Sequence, residues 1–126
     1  MLTATQHLKT KLRKAVRASW TCDTSYEPDR WSDDNPAWGQ CAVTALVLQD
    51  YLGGELRRVT AGAETTHFWV VVDGEDVDLT LEQFDPVPIW TEGPMAVGRE
   101  YVLAWPDTRR RYEELRDRMA IAMKKV

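Results

Sequence analysis

The chain has 126 residues, 44% of them apolar and 29% charged, with a formal net charge of −4. That length predicts a single domain over residues 1–126 that buries a core without metal or disulfide support. No apolar run approaches the roughly 18–20 residues of a membrane helix, and no apolar signal core follows the start, so membrane insertion and secretion are not expected.

The first twenty residues hold five basic side chains and no acid, a bias shared with transit peptides. Leu8, Leu12, Ala15, Val16 and Ser19 fall at helical spacing, which predicts an amphipathic helix over 3–19 docked on the domain. A Trp-, Asp- and Pro-rich loop covers 20–40. Residues 41–51 read as a helix apolar on most faces, hence central and buried. Gly53-Gly54 ends it, because glycine adopts positive φ without steric cost.

Strands follow. Glu55–Thr60 is the first and His67–Val72 the second, rich in aromatic and β-branched residues. Asp73-Gly74 is a hairpin-turn dipeptide. Val77–Thr80 is the returning strand, and Leu81–Phe84 a short helical turn. The Pro- and Gly-bearing stretch 85–98 reads as a surface loop, and Arg99–Trp105 as a further strand. Asp107 or Thr108 caps a last helix with the apolar stripe Tyr112, Leu115, Met119 and Met123 and an i,i+4 pair, Glu114–Arg118. Helices at both ends with strands between predict an α+β domain, its antiparallel sheet covered by the central helix.

The charge is unevenly distributed. Between Trp31 and Gly98 the only bases are Arg57 and Arg58, against twelve acids, while the ends carry fourteen bases and eight acids. The central segment repels phosphates, which argues against nucleic acid as a partner and for a small neutral or amine-bearing substrate. There is neither CxxC nor HExxH, so neither a metal nor another cofactor is expected. The two cysteines, Cys22 and Cys41, allow one bridge. The missing export signal implies a reducing cytoplasm, where both stay free thiols.

Cys41 sits where a polar, Gly-containing loop enters the apolar helix. The unpaired N–H groups and positive dipole end there favour a thiolate. His67 opens the second strand. His7, the other histidine, lies on the solvated side of the first helix. Side chains alternate along a strand, so His67, Trp69 and Val71 share a face. With a two-residue loop at Asp73-Gly74, Asp78 emerges on that face, diagonal to His67. A three- or five-residue loop would turn it away. Cys41 as nucleophile, His67 as base and Asp78 as orienting acid would support acyl chemistry. The Cys41 N–H would hold the oxyanion, with Gln40 or Asn35 as a second donor. Trp31, Trp38 and Trp69, three of the six tryptophans, are candidates to wall the pocket.

The blocks Asn35-Pro36, Gly39-Gln40-Cys41-Ala42-Val43-Thr44-Ala45-Leu46-Val47, His67-Phe68-Trp69, Asp78-Leu79-Thr80 and Gln83-Phe84 together resemble the YunG-like family of small bacterial proteins. The resemblance runs from about Ser19-Trp20 to Arg110-Arg111-Tyr112. More distantly, the order Cys, His, Asp is similar to papain-like and transglutaminase-core enzymes, which carry out acyl transfer. That similarity implies a papain-like or transglutaminase-like core and a cysteine hydrolase, deamidase or acyltransferase. The chain is much shorter than those proteases and lacks their upstream Gln. Two other readings stand beside it: a non-catalytic module binding a small ligand in a Trp-lined pocket, and an interaction protein using Arg109-Arg110-Arg111.

Overall fold

The computed structural model describes residues 2–126. Helix α1 (Ala4–Ser19) begins at a capping box, with Thr3 accepting from the Gln6 N–H and Gln6 reaching back to Thr3. Its predicted stripe turns inward: Leu12, Ala15, Val16 and Ser19 are buried. Helix α2 (Cys41–Leu52) carries seven consecutive buried residues, Ala42–Leu48. An apolar surface all round can be satisfied only at the centre of the molecule. No helix among the described residues is long and apolar enough to cross a membrane.

Four strands follow: β1 (Glu55–Ala61), β2 (Thr65–Val72), β3 (Glu75–Val77) and β4 (Glu92–Val97). They form one antiparallel sheet in the order β3-β2-β1-β4. Two helices close the chain, α3 (Arg99–Leu103) and α4 (Thr108–Met123). The architecture is therefore α+β, a four-stranded antiparallel sheet with four helices. Leu56, Phe68, Val70, Val72 and Val77 of the sheet join Val43, Leu46 and Val47 of α2, with residues of α1 and α4, in one apolar cluster. The turn is the two-residue Asp73-Gly74, since Val72 pairs with Glu75 and Val71 with Asp76.

Four expectations are corrected. The fourth strand is Glu92–Val97, inside the predicted loop, and Arg99–Leu103 is helical instead of extended. Gly93 and Pro94 hide the strand, but an exposed edge tolerates a proline that cannot donate. In α3, Val102 and Leu103 are buried as neighbours, without strand alternation. Arg99 pins α3 to α2 and α4, donating to the Leu46 carbonyl at 3.2 Å, Gln49 at 2.8 Å, Asp50 at 2.8 Å and the Tyr112 hydroxyl at 2.8 Å. The returning strand also runs earlier than predicted, over Glu75–Val77, so Asp78 lies just beyond it. Finally, Asp107 precedes α4 but makes no side-chain cap; its carboxylate takes the Arg110 guanidinium at 2.7 and 2.9 Å. The Glu114–Arg118 pair is present at 3.4 Å.

Gly93 has φ +96°, and a Cβ there would meet the Arg58 carbonyl oxygen of β1 at 2.6 Å. Gly93→Ala is expected to destabilise the fold by about 1–3 kcal/mol and to weaken amide-exchange protection along β1. Urea denaturation with hydrogen exchange measures both; an unchanged midpoint would remove this strand from the sheet edge.

Candidate active site

Strand β3 covers only Val70–Val72 of β2. Residues 65–69 of β2 therefore pair with β1 alone. The N-terminus of α2 fills this uncovered edge: the Cys41 Sγ lies 3.9 Å from the Thr66 carbonyl oxygen, and the Phe68 N–H is near enough to help lower its titration. Phe68 and Val70 face the helices, so His67 and Trp69 project from the opposite face. A thiol at the strand edge is within reach of a ring from that face.

His67 is 1% exposed. Its Nε2 lies 2.7 Å from Asp78 Oδ2, and Asp78 Oδ1 accepts the Thr80 N–H at 3.3 Å. Both carboxylate oxygens are thus held. The other ring nitrogen, Nδ1, is buried with no partner at ordinary hydrogen-bond geometry. Cys41 nevertheless lies close enough to His67 for each to move the other's titration. With Nε2 taken by Asp78, Nδ1 is the nitrogen available to the thiol. Such contacts commonly tighten only when substrate arrives.

The electrostatics push both groups toward their charged forms. Burial pushes the Cys41 thiol up, but the hydrogen bond and charge of His67, with the Phe68 N–H, outweigh it and hold the thiol below its ordinary value. Burial pushes His67 down, but the hydrogen bonds to Asp78 and Cys41 and their charges raise it to about 9. The ring also stacks against Trp69 at 5.7 Å and Trp90 at 5.8 Å and meets the edge of Phe84 at 5.4 Å. Indole faces are electron-rich and favour the cationic ring.

A cleft of about 370 Å³ opens over Cys41. Trp38, Phe68, Phe84 and Trp105 form its aromatic wall, and Glu27, Arg30, Glu64 and Arg111 its charged lining. Of the three tryptophans expected there, only Trp38 lines it; its Nε1 is buried without an acceptor. Trp31 donates to the Pro36 carbonyl at 2.9 Å, closing its own loop. Trp69 donates to Asp76 at 2.9 Å and backs His67. Gln40 is fully buried and donates to the Thr21 carbonyl, while Asn35 donates to the Gln83 carbonyl. Neither amide lines the cleft. The N–H groups of the first turn of α2 receive no side-chain cap from Gln40. Cys22 is exposed and unbridged, as Cys41 is unbridged.

Sequence reasoning passed over two positioning elements. Gln83 accepts the Gly39 N–H at 3.1 Å and donates to the Thr80 carbonyl at 2.9 Å. One buried amide thus ties the loop before Cys41 to the segment after Asp78. Gly39 has φ +72°, and a Cβ there would strike Ser25 Oγ at 2.3 Å and the Tyr26 N at 2.8 Å. The Gly39-Gln40-Cys41 and Gln83-Phe84 blocks were visible as motifs; their mutual contact was not. Trp90 went unnoticed inside a proline-rich stretch.

The family model described as YunG protein matches residues 8–124, and the chain belongs to that family. Among curated proteins, "Uncharacterized protein YunG" of Bacillus subtilis (strain 168) is 39% identical over 69 residues, 55% of this chain. The match spans 56% of that relative's length. No solved structure matches the chain.

Two outcomes are expected. In wild type, alkylation of Cys41 by iodoacetamide, read by mass spectrometry, titrates below the ordinary thiol value of 9.0. In His67→Ala the burial penalty is no longer opposed by the imidazole, and the inflection moves up. Gln83→Leu leaves the Gly39 N–H unpartnered, at a cost of about 1–3 kcal/mol measurable by urea denaturation.

Proposed function

We propose that this YunG-family chain is a thiol-dependent acyl-transfer enzyme acting on an amide or ester of a small substrate, as a hydrolase, deamidase or acyltransferase. One observation carries this reading: a buried histidine gives Nε2 to Asp78 at 2.7 Å and keeps Nδ1 unpartnered, close to a thiol that lines an open cleft and shifts its titration. A histidine serving structure alone has no need of a thiol partner and a cleft together.

The Cys41 thiolate attacks the carbonyl carbon, and the π pair moves to oxygen. The Cys41 N–H at the start of α2 stabilises that oxyanion. Collapse breaks the bond to the leaving oxygen or nitrogen, which takes the proton from His67 Nδ1. A thioester and a neutral imidazole remain. Water, or an acceptor amine, gives its proton to Nδ1 as it attacks the thioester. Collapse then breaks the S–C bond and restores the thiolate–imidazolium pair. Asp78 accepts from Nε2 throughout, fixing the ring so that the mobile proton is always on Nδ1.

The Cys-bearing helix set against a His-bearing strand, with Asp next in chain order, supports reading the domain as a reduced papain-like or transglutaminase-like core.

The test is p-nitrophenyl ester turnover with mass spectrometry of the protein. Cys41 should gain the acyl mass, Cys41→Ser should not, and His67→Ala should slow acylation by about 10²–10⁴-fold. With an amide or alkyl ester in place of the p-nitrophenyl ester, the rate should fall above about pH 9, where His67 loses the proton it gives to the leaving group. Acylation confined to the exposed Cys22, or unaffected by His67→Ala, would refute the reading.

A further inference from the structure

Three arginines stand together in the first turns of α4, where the helix dipole opposes positive charge. The fold treats them differently. Arg109 is exposed and pairs with Glu100 at 3.4 Å. Arg110 is exposed and takes the Asp107 carboxylate with two bonds. Arg111 is 2% exposed, yet no carboxylate among the described residues lies within ion-pair distance of it. Its guanidinium donates to the Thr24 carbonyl at 3.2 Å and the Thr108 hydroxyl at 3.1 Å, both neutral acceptors. The Tyr26 ring lies 5.5 Å from it.

A buried arginine cannot escape its charge by losing a proton, because its affinity for protons is too high. Desolvating it without an anion is costly, and two neutral oxygens offset only part of that cost. A guanidinium has five N–H donors, so three remain for a ligand. Arg111 also lines the same cleft as Cys41 and is near enough to sense the thiolate's charge. The other charges on the lining do not discharge it: Glu27 pairs with Arg30 at 3.6 Å, and Glu64 forms no ion pair among the described residues.

We infer that Arg111 binds the free carboxylate of the acyl donor whose carbonyl carbon is presented to Cys41, so that the substrate class is a monoester or monoamide of a dicarboxylic acid. This rests on the acyl-transfer reading above. The planar fork of Arg111 suits a carboxylate, held by charge-assisted bonds. The two acidic residues on the lining weigh against a doubly charged phosphate. Arg111 is on this assignment a binding residue with a share in KM, and the bonds to Thr24 and Thr108 aim it.

The experiment compares two esters of equal chain length, p-nitrophenyl hexanoate and p-nitrophenyl hydrogen adipate, whose chain is too long for ready attack by its own carboxylate. Rates of Cys41 acylation are divided by those of a free small thiol. Wild type should prefer the adipate ester by about 10–100-fold, the worth of charged hydrogen bonds. Arg111→Gln should abolish the preference through KM, and Arg111→Lys should restore part of it. In parallel, adipate and inorganic phosphate are each tested for raising the melting temperature of Cys41→Ser, and of that variant with Arg111→Gln added. Stabilisation by adipate that Arg111→Gln removes supports the inference. Equal rates for the two esters in wild type, with Cys41 acylated by both, overturn it and leave the enzyme reading standing. Stabilisation by phosphate and not adipate overturns the carboxylate assignment. Acylation of Cys41 by neither ester refutes the enzyme reading, and the melting shifts then decide Arg111 alone. If Arg111→Gln fails to fold, the wild-type preference and Arg111→Lys carry the decision.

Discussion

The shortness of β3 organises the site. A strand of three residues pairs with Val70–Val72 and stops. Had it continued, it would have filled the edge of β2 beside Thr66 and Phe68, and the start of α2 could not sit there. Because it stops, the thiol at the helix start is set against that edge, and Asp78 leaves the strand just where its carboxylate meets the ring of His67. One early strand end thus brings together a thiol from α2, an imidazole from β2 and a carboxylate from the segment after β3. Gln83 then locks the two flanking loops together, so the separation between helix start and hairpin end is fixed by a buried amide instead of by loop stiffness.

Much of this was readable from residues alone, and the reason is periodicity. The stripe of α1, the all-round apolar α2 and the Asp73-Gly74 turn are local patterns with one geometric solution each. Strand parity followed from them and put Asp78 on the face of His67. The errors fall where long-range contacts override local preference. Glu92–Val97 is extended only because β1 offers an edge, and Arg99 begins a helix because Asp50, Gln49 and Tyr112 wait for its guanidinium. Trp38 lines the cleft as expected, while Trp31 and Trp69 do not, for the same cause. A loop indole takes whatever pocket the tertiary fold leaves it, so Trp31 closed its loop and Trp90 reached His67. Gln40 and Asn35 stood beside Cys41 in sequence, but their amides serve backbone carbonyls elsewhere.

The charge map along the chain also reads differently once folded. The basic ends and the acidic middle meet: Lys9 pairs with Glu75 at 3.3 Å, Arg17 with Glu82, and Arg99 with Asp50 at 2.8 Å. Such exposed or half-exposed pairs contribute little stability singly. Their effect is to cancel the central segment's field where the terminal helices dock. The cleft is therefore mixed in sign, with Arg30 and Arg111 brought in from outside the acidic stretch. Segregation in sequence became complementarity in space, and Arg111 is a buried cation that this pairing left without a carboxylate.

The stacking of His67 between ring neighbours has an optical side. Trp69 and Trp90 lie within 6 Å of an imidazole whose charge state defines the site. An imidazolium accepts an electron from an excited indole far more readily than a neutral imidazole does. Protonation of His67 therefore quenches Trp69 and Trp90, and their emission rises as the ring loses its proton, near pH 9. The protein carries its own fluorophores against this ring, so its charge can be followed by emission, without a label.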